Sequence, residues 1–136
     1  MNILYPIFAL VAFTFVLIPI FGIARINAVR TGKVSVRYFK LMDGSEQLPE
    51  FIVKSGRHFT NLFEMPVLFY LLGVLMLIFK LDQPGMIILA WLYVVARLVH
   101  ALIHLSYNNI LHRMIAFMAG NFILGCLWIW VGLGLL

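Results

Sequence analysis

Charged residues are scarce in this chain of 136 residues, and the scarcity indicates its class. Asp, Glu, Lys and Arg together make up 11% of the sequence, whereas hydrophobic residues make up 64%, and the mean hydropathy is +1.06. A soluble domain carries roughly 25% charged residues. The composition therefore excludes an ordinary soluble domain and indicates an integral membrane protein.

Cysteine is almost absent as well. Cys126 is the only one, so the chain cannot form an intrachain disulfide. The sequence also has no pairing of Cys and His at the spacings that are typical of zinc sites. We therefore predict no metal site.

Interruptions of the hydrophobic pattern are few. Four apolar segments, at roughly residues 3–24, 49–81, 84–107 and 109–136, are long enough to cross a bilayer, which takes about 20 residues each. The runs are continuous rather than alternating, so they predict helices and not the strands of a membrane barrel. We expect one all-α domain over residues 1–136, a bundle of four transmembrane helices with one long connection at residues 25–48.

The first segment lacks the marks of a signal peptide. No basic stretch precedes it, no A-x-A-like cleavage site follows it, and its apolar core is too long. It also contains no Asp or Glu, whereas small multidrug exporters with four helices depend on an acidic residue in the first helix. We therefore expect a retained helix and exclude such an exporter.

The basic residues predict an orientation. All ten Lys and Arg residues except Lys80 lie around the first and third connections: Arg25, Arg30, Lys33, Arg37, Lys40, Lys54, Arg57, Arg97 and Arg113. The positive-inside rule places these connections in the cytoplasm and both termini on the other side. The net charge of +5 is explained by anionic lipid next to this face, and we expect no nucleic-acid partner.

Polar side chains interrupt the second predicted span. Arg57, Asn61 and Glu64 follow one another at i, i+4 and i+7, which puts them on one face of a helix. An ionisable residue at membrane depth costs about 2.5–3.5 kcal/mol on insertion scales, so it usually faces a protein interior or a water-filled cavity. Arg57 alone can snorkel to the headgroups, but Glu64 lies about two turns deeper. We predict a polar cavity, with Glu64 in reach of Arg97, Arg57 or a ligand.

A second polar stripe occupies the third predicted span. Arg97, His100 and His104 follow at i, i+3 and i+7, and Tyr107 continues the stripe. Arg97 has five donors to satisfy, and a pairing with Glu64 would make both residues structural. A single histidine in a membrane helix is often a hydrogen-bonding packing residue. Together, the four side chains predict a face lined for a ligand.

Arg113 opens the fourth predicted span and has two interpretations. It is either an anchor at the membrane interface or a cation that stabilises a thiolate held near it. The sequence alone leaves both open.

Taken in order, these residues resemble the MAPEG family, the membrane-associated proteins in eicosanoid and glutathione metabolism. The resemblance covers nearly the whole chain and rests on two motifs and one spacing: Arg57-x-x-x-Asn61-x-x-Glu64 followed by Pro66, Ala96-Arg97-x-x-His100, and Arg113 sixteen residues after Arg97. It implies a homotrimer that binds glutathione between neighbouring subunits near the cytoplasmic side.

The resemblance also implies roles for individual residues. Three residues of one subunit would hold glutathione, and three of its neighbour would reach it: Arg57, Asn61 and Glu64, then Arg97, His100 and His104. Arg113 matches the arginine thought to activate the thiol, and Arg25 matches another glutathione contact. We add Tyr107 to these glutathione contacts because it ends the stripe that begins at Arg97.

The implied activity is that of a glutathione-dependent membrane enzyme. It would transfer glutathione to an electrophilic lipophilic substrate or reduce a lipophilic hydroperoxide. The alternative is a non-catalytic member that binds a lipid or a partner protein. Leukotriene- and prostaglandin-forming members carry tyrosine where this chain has His104, so we do not expect eicosanoid synthesis. The first connection looks more like the bacterial branch, which implies a bacterial inner membrane.

Overall fold

All regular structure in the described residues is helical. A computed structural model describes residues 2–41 and 48–135, and no strand occurs in these two ranges. The helices are α1 (Leu4–Arg30), α2 (Val36–Leu41), α3 (Glu50–Phe63), α4 (Met65–Ile78), α5 (Pro84–Leu105) and α6 (Ile110–Gly134). Within these two ranges, four stretches are long and apolar enough to cross a membrane, namely α1, α3 with α4, α5 and α6. The predicted all-α membrane fold is confirmed.

The second span is broken, whereas the sequence pattern predicts one continuous helix over residues 49–81. Glu64 separates α3 from α4 with φ −90° and ψ −94°. Pro66 follows in the first turn of α4, and its ring nitrogen has no hydrogen to donate to the Leu62 carbonyl. The break therefore falls inside the polar stripe and frees backbone groups there.

The first connection is shorter than predicted. The helix α1 continues to Arg30, so Arg25 lies within a helix rather than at its end. Gly32 then takes a left-handed conformation with φ 69°, which only glycine adopts at no steric cost, and the chain turns toward α2. Residues 42–47 of the predicted connection lie outside the described residues. The predicted connection at residues 25–48 thus includes the short helix α2.

The helix α5 lies at the centre of the bundle. It is the most buried of the four spans, α1 is the least buried, and α5 pairs most extensively with α6. The main core joins side chains from α1, α4, α5 and α6, among them Leu10, Phe69, Tyr93 and Leu127. The rings of Phe69 and Tyr93 pack in a tilted arrangement with centroids 4.7 Å apart. This packing fixes α5, which carries the second polar stripe.

Candidate functional site

A cleft opens between α3, α5 and the start of α6. Its volume is about 510 Å³, within the range of pockets that hold small ligands. The lining residues come from all three helices: Arg57, Thr60, Asn61, Glu64, His100, His104, Ile110, Arg113, Met114 and Phe117. Both predicted polar stripes therefore contribute to one cleft within a single chain.

The α3 side of the cleft is open. Arg57 and Glu64 are exposed in the single chain, and Asn61 is half-buried. Asn61 Nδ2 donates to the Arg57 carbonyl one turn back, at 3.3 Å. Within residues 2–41 and 48–135, Glu64 forms no ion pair with Arg57 or Arg97. The charged heads of this stripe therefore face the cleft.

Arg97 lies beneath the cleft rather than in its wall. It is 3% exposed, and its Nη2 donates to the Asn61 carbonyl at 2.9 Å, while its guanidinium lies 5.8 Å from the centroid of the Phe117 ring. The pairing of Arg97 with Glu64, one alternative from the sequence, is not formed. Arg97 satisfies a carbonyl in the last turn of α3, where the helix breaks.

Arg113 is held at the other side of the cleft. The end of α5 and the start of α6 approach each other here, and Asn109 caps α6 by accepting a hydrogen bond from the His112 backbone at 3.1 Å. Arg113 Nη1 donates to the Asn108 side-chain oxygen at 2.9 Å. The guanidinium is half-buried. It keeps further donors for an anion because one bond uses only one of its five.

Two predicted residues lie outside the cleft. Tyr107 is 62% exposed beyond the end of α5, where its hydroxyl shares a hydrogen bond with His112 Nδ1 at 3.0 Å. Arg25 lies between the rings of Phe39 and Phe59, at 5.8 and 6.0 Å from their centroids. Neither residue lines the cleft, but Arg25 lines a smaller neighbouring pocket together with Arg57.

His58 belongs to the site although the stripe analysis passed over it. It follows Arg57 directly, so it points about 100° away around α3, toward the protein interior. There its Nδ1 lies 3.2 Å from His104 Nδ1, and its ring centroid lies 5.8 Å from that of His100. The signal was present in the sequence, because Ser55, His58 and Leu62 recur at helical spacing along the buried face.

Asn108 is the other residue that the sequence analysis missed. Its φ is 50°, a left-handed conformation that asparagine tolerates better than most residues, and its backbone N–H donates to the Ile103 carbonyl at 2.8 Å. Its backbone thus closes the end of α5, while its side chain holds Arg113. The Tyr107-Asn108-Asn109 sequence predicted a helix end, but it did not predict the hydrogen bond between Asn108 and Arg113.

Arginine and histidine side chains give the site its polar character. Among the described residues, no group of three or more His, Cys, Asp or Glu side chains could hold a metal ion. Arg57 and Arg113 instead offer forked donors that suit carboxylates. His100 Nδ1 and His104 Nε2 are buried without a partner among the described residues. Such atoms are costly unless a ligand or solvent satisfies them.

The same residues lie within a sequence match that covers nearly the whole chain. The family model for the MAPEG family matches residues 3–133 of the 136. The chain belongs to the MAPEG family. Membership makes it a membrane protein related to glutathione and eicosanoid metabolism. Comparisons of this MAPEG chain with curated proteins and with solved structures gave no match.

Proposed function

We propose that this MAPEG protein binds glutathione in the cleft between α3, α5 and α6 and uses it on a lipophilic substrate. The reaction is transfer of glutathione to an electrophile or reduction of a hydroperoxide. The observation that carries the proposal is the placement of Arg57, Glu64 and Arg113 around one cleft, because their charges match a tripeptide with two carboxylates and one ammonium group.

The residues fit glutathione chemically. Arg57 would hold a carboxylate, Glu64 the ammonium group, and Asn61 a backbone amide of the peptide. His100 and His104 carry buried nitrogens without partners, and such atoms favour a polar ligand. Arg97 would support the set from beneath through its hydrogen bond to the Asn61 carbonyl.

The chemistry requires a thiolate, which glutathione supplies when bound. Arg113 would stabilise the negative charge on sulfur, because its half-buried guanidinium retains free donors beside the cleft. Apolar residues of α6, among them Met114 and Phe117, line the same cleft and offer a surface to a lipophilic substrate. That substrate would enter laterally from the bilayer.

The first test is glutathione binding by isothermal titration calorimetry in detergent. We expect saturable heat for the wild type and at least about tenfold weaker binding for Arg57→Ala, since a hydrogen bond to a charged group contributes about 1.5–3 kcal/mol. Arg30→Ala is the matched control because Arg30 is exposed and lies outside the cleft. Absence of heat with the wild type would favour a non-catalytic member that binds a lipid or a partner protein.

We also propose a homotrimer in a bacterial inner membrane, with both termini outside the cytoplasm. The open α3 side of the cleft supports this assembly, because Arg57 and Glu64 are exposed in one chain at a depth where charges are costly. A neighbouring subunit would cover these charges in the trimer. Native mass spectrometry from detergent should give three chains, and a monodisperse monomer would contradict this assembly.

A further inference from the structure

Two buried histidines from different helices share one hydrogen bond. His58 of α3 and His104 of α5 are 1% and 2% exposed, and their Nδ1 atoms lie 3.2 Å apart. A neutral imidazole has one N–H and one bare nitrogen. When both rings are neutral, one Nδ1 donates and the other accepts, so the rings must be opposite tautomers.

This coupling decides what His104 presents to the cleft. His104 lines the cleft, and its Nε2 is buried without a partner in the part of the chain that the structure describes. If His104 donates through Nδ1, its Nε2 is bare and accepts hydrogen bonds. If His58 donates through Nδ1, His104 carries its hydrogen on Nε2 and becomes a donor.

We propose that His58 is a positioning residue that, through its hydrogen bond to His104, fixes His104 as a hydrogen-bond donor to an anionic group of the bound ligand. The inference rests on the proposed function because it takes that ligand to be glutathione. It assigns a task to a residue that does not line the cleft itself.

Charge favours the donor form of His104 when a ligand is bound. Arg57 and Arg113 line the same cleft, and Lys54 also acts electrostatically on the His104 ring. These cations attract an anion, and an anion requires N–H groups around it. Proton number is conserved in the change of tautomer: His104 Nε2 gains one hydrogen, His58 Nε2 loses one, and the shared hydrogen belongs to His58 Nδ1.

The surroundings hold the two rings in this arrangement. The Phe21 ring packs edge-on against His58 with centroids 6.1 Å apart. The His100 ring stacks on His58 with centroids 5.8 Å apart and lies tilted against His104 at 5.7 Å. Within the described residues, His58 Nε2 has no partner. His104 is therefore the only hydrogen-bond partner of His58 in that part of the chain.

The direct test is 15N NMR of histidine-labelled protein, because bare and protonated ring nitrogens of a neutral imidazole give well-separated shifts. With glutathione bound, we expect a bare Nδ1 and a protonated Nε2 for His104, and the reverse for His58. S-methylglutathione, which has carboxylates but no thiol, serves as the second probe. If His104 takes this tautomer with both probes, the anion is a carboxylate. If it does so with glutathione alone, the anion is the thiolate. The same tautomer for both rings would overturn the proposal.

Binding of glutathione by variants is the second measurement. His58→Leu should weaken it about tenfold, because His104 loses the partner that fixes its tautomer. His58→Asn should restore affinity close to that of the wild type, since its amide reaches the position of Nδ1 and can donate to His104. His112→Leu is the matched control, because His112 is exposed and does not line the cleft.

Loss of glutathione binding and loss of the role of His58 give different results. If the wild type binds no glutathione, the proposed function fails, and this inference fails with it. If the wild type binds glutathione but both His58 variants bind equally well and the His104 tautomer is unchanged, only the role of His58 is wrong. A folded His58→Asn protein keeps the test decisive if His58→Leu does not fold.

Discussion

Replacing Arg113 with alanine should lower turnover by about 100- to 1,000-fold, while glutathione binding weakens only modestly. Removing one preorganised donor to a developing negative charge typically costs about 2.7–4 kcal/mol in the rate step. The ligand keeps its other contacts to Arg57, Asn61 and Glu64, so most of the binding free energy should remain. Turnover with an electrophilic aryl halide and glutathione affinity by calorimetry measure the two effects independently.

Thiolate absorbance distinguishes this role of Arg113 from that of a membrane anchor. Titrated against pH with glutathione bound, the thiol of the Arg113→Ala complex should ionise at higher pH than that of the wild type, because a nearby cation favours the charged form. Arg113→Lys should lie between the two, since it keeps the charge but loses the fork that bonds to Asn108. Arg37→Ala is the control, because Arg37 is exposed on α2. Identical titrations of the wild type and Arg113→Ala would make Arg113 an anchor.

The largest effect on stability is expected for Phe69→Ala. Phe69 is completely buried and packs against Tyr93 with ring centroids 4.7 Å apart. Buried Phe→Ala changes in soluble proteins cost about 3–5 kcal/mol, part of it from the cavity that is left. Lipid is as apolar as the core, so packing and not transfer from water provides most of the effect here. We expect the free energy of unfolding, measured by reversible SDS unfolding in mixed micelles, to fall by about 3 kcal/mol, near the lower end of this range.

The matched control is Phe15→Ala. Phe15 lies on α1, the least buried span, and is 69% exposed in the single chain. Its removal should change the free energy of unfolding by less than about 0.5 kcal/mol. Equal losses for the two variants would mean that the α4–α5 contact does not carry the stability assigned to it.

The pairing of Arg97 shows why contacts between helices could not be predicted from the pattern. The spacing of Arg97 and Glu64 allowed an ion pair across two helices, and their opposite charges favoured it. The helix α3 ends directly before Glu64, and the Asn61 carbonyl in its last turn becomes the acceptor for Arg97 instead. The spacing of residues along a helix does not show which backbone carbonyl will accept a hydrogen bond from a neighbouring helix.

The residues of the predicted site also fall into two groups, those placed by helical periodicity and those placed by tertiary structure. Arg57, Asn61 and Glu64 share a helix face because 3.6 residues make a turn, so their common position followed from spacing alone. Whether Tyr107 continues the stripe on α5 depended on where that helix ends, and it ends at Leu105. Arg25 does not line the cleft but shares a neighbouring pocket with Arg57, and its contacts with Phe39 and Phe59 come from tertiary packing alone.

The sequence by itself determined that this is a helical membrane protein with four spans, because continuous apolar runs of sufficient length have no other stable arrangement in a bilayer. It also determined which polar residues lie on one face of each helix, because that depends only on helical periodicity. The tertiary structure decided that His58 contacts His104, that Asn108 holds Arg113 and that Arg97 lies beneath the cleft. These contacts join different helices or the two sides of a helix end, and they depend on the break at Glu64 and on how α5 packs between its neighbours.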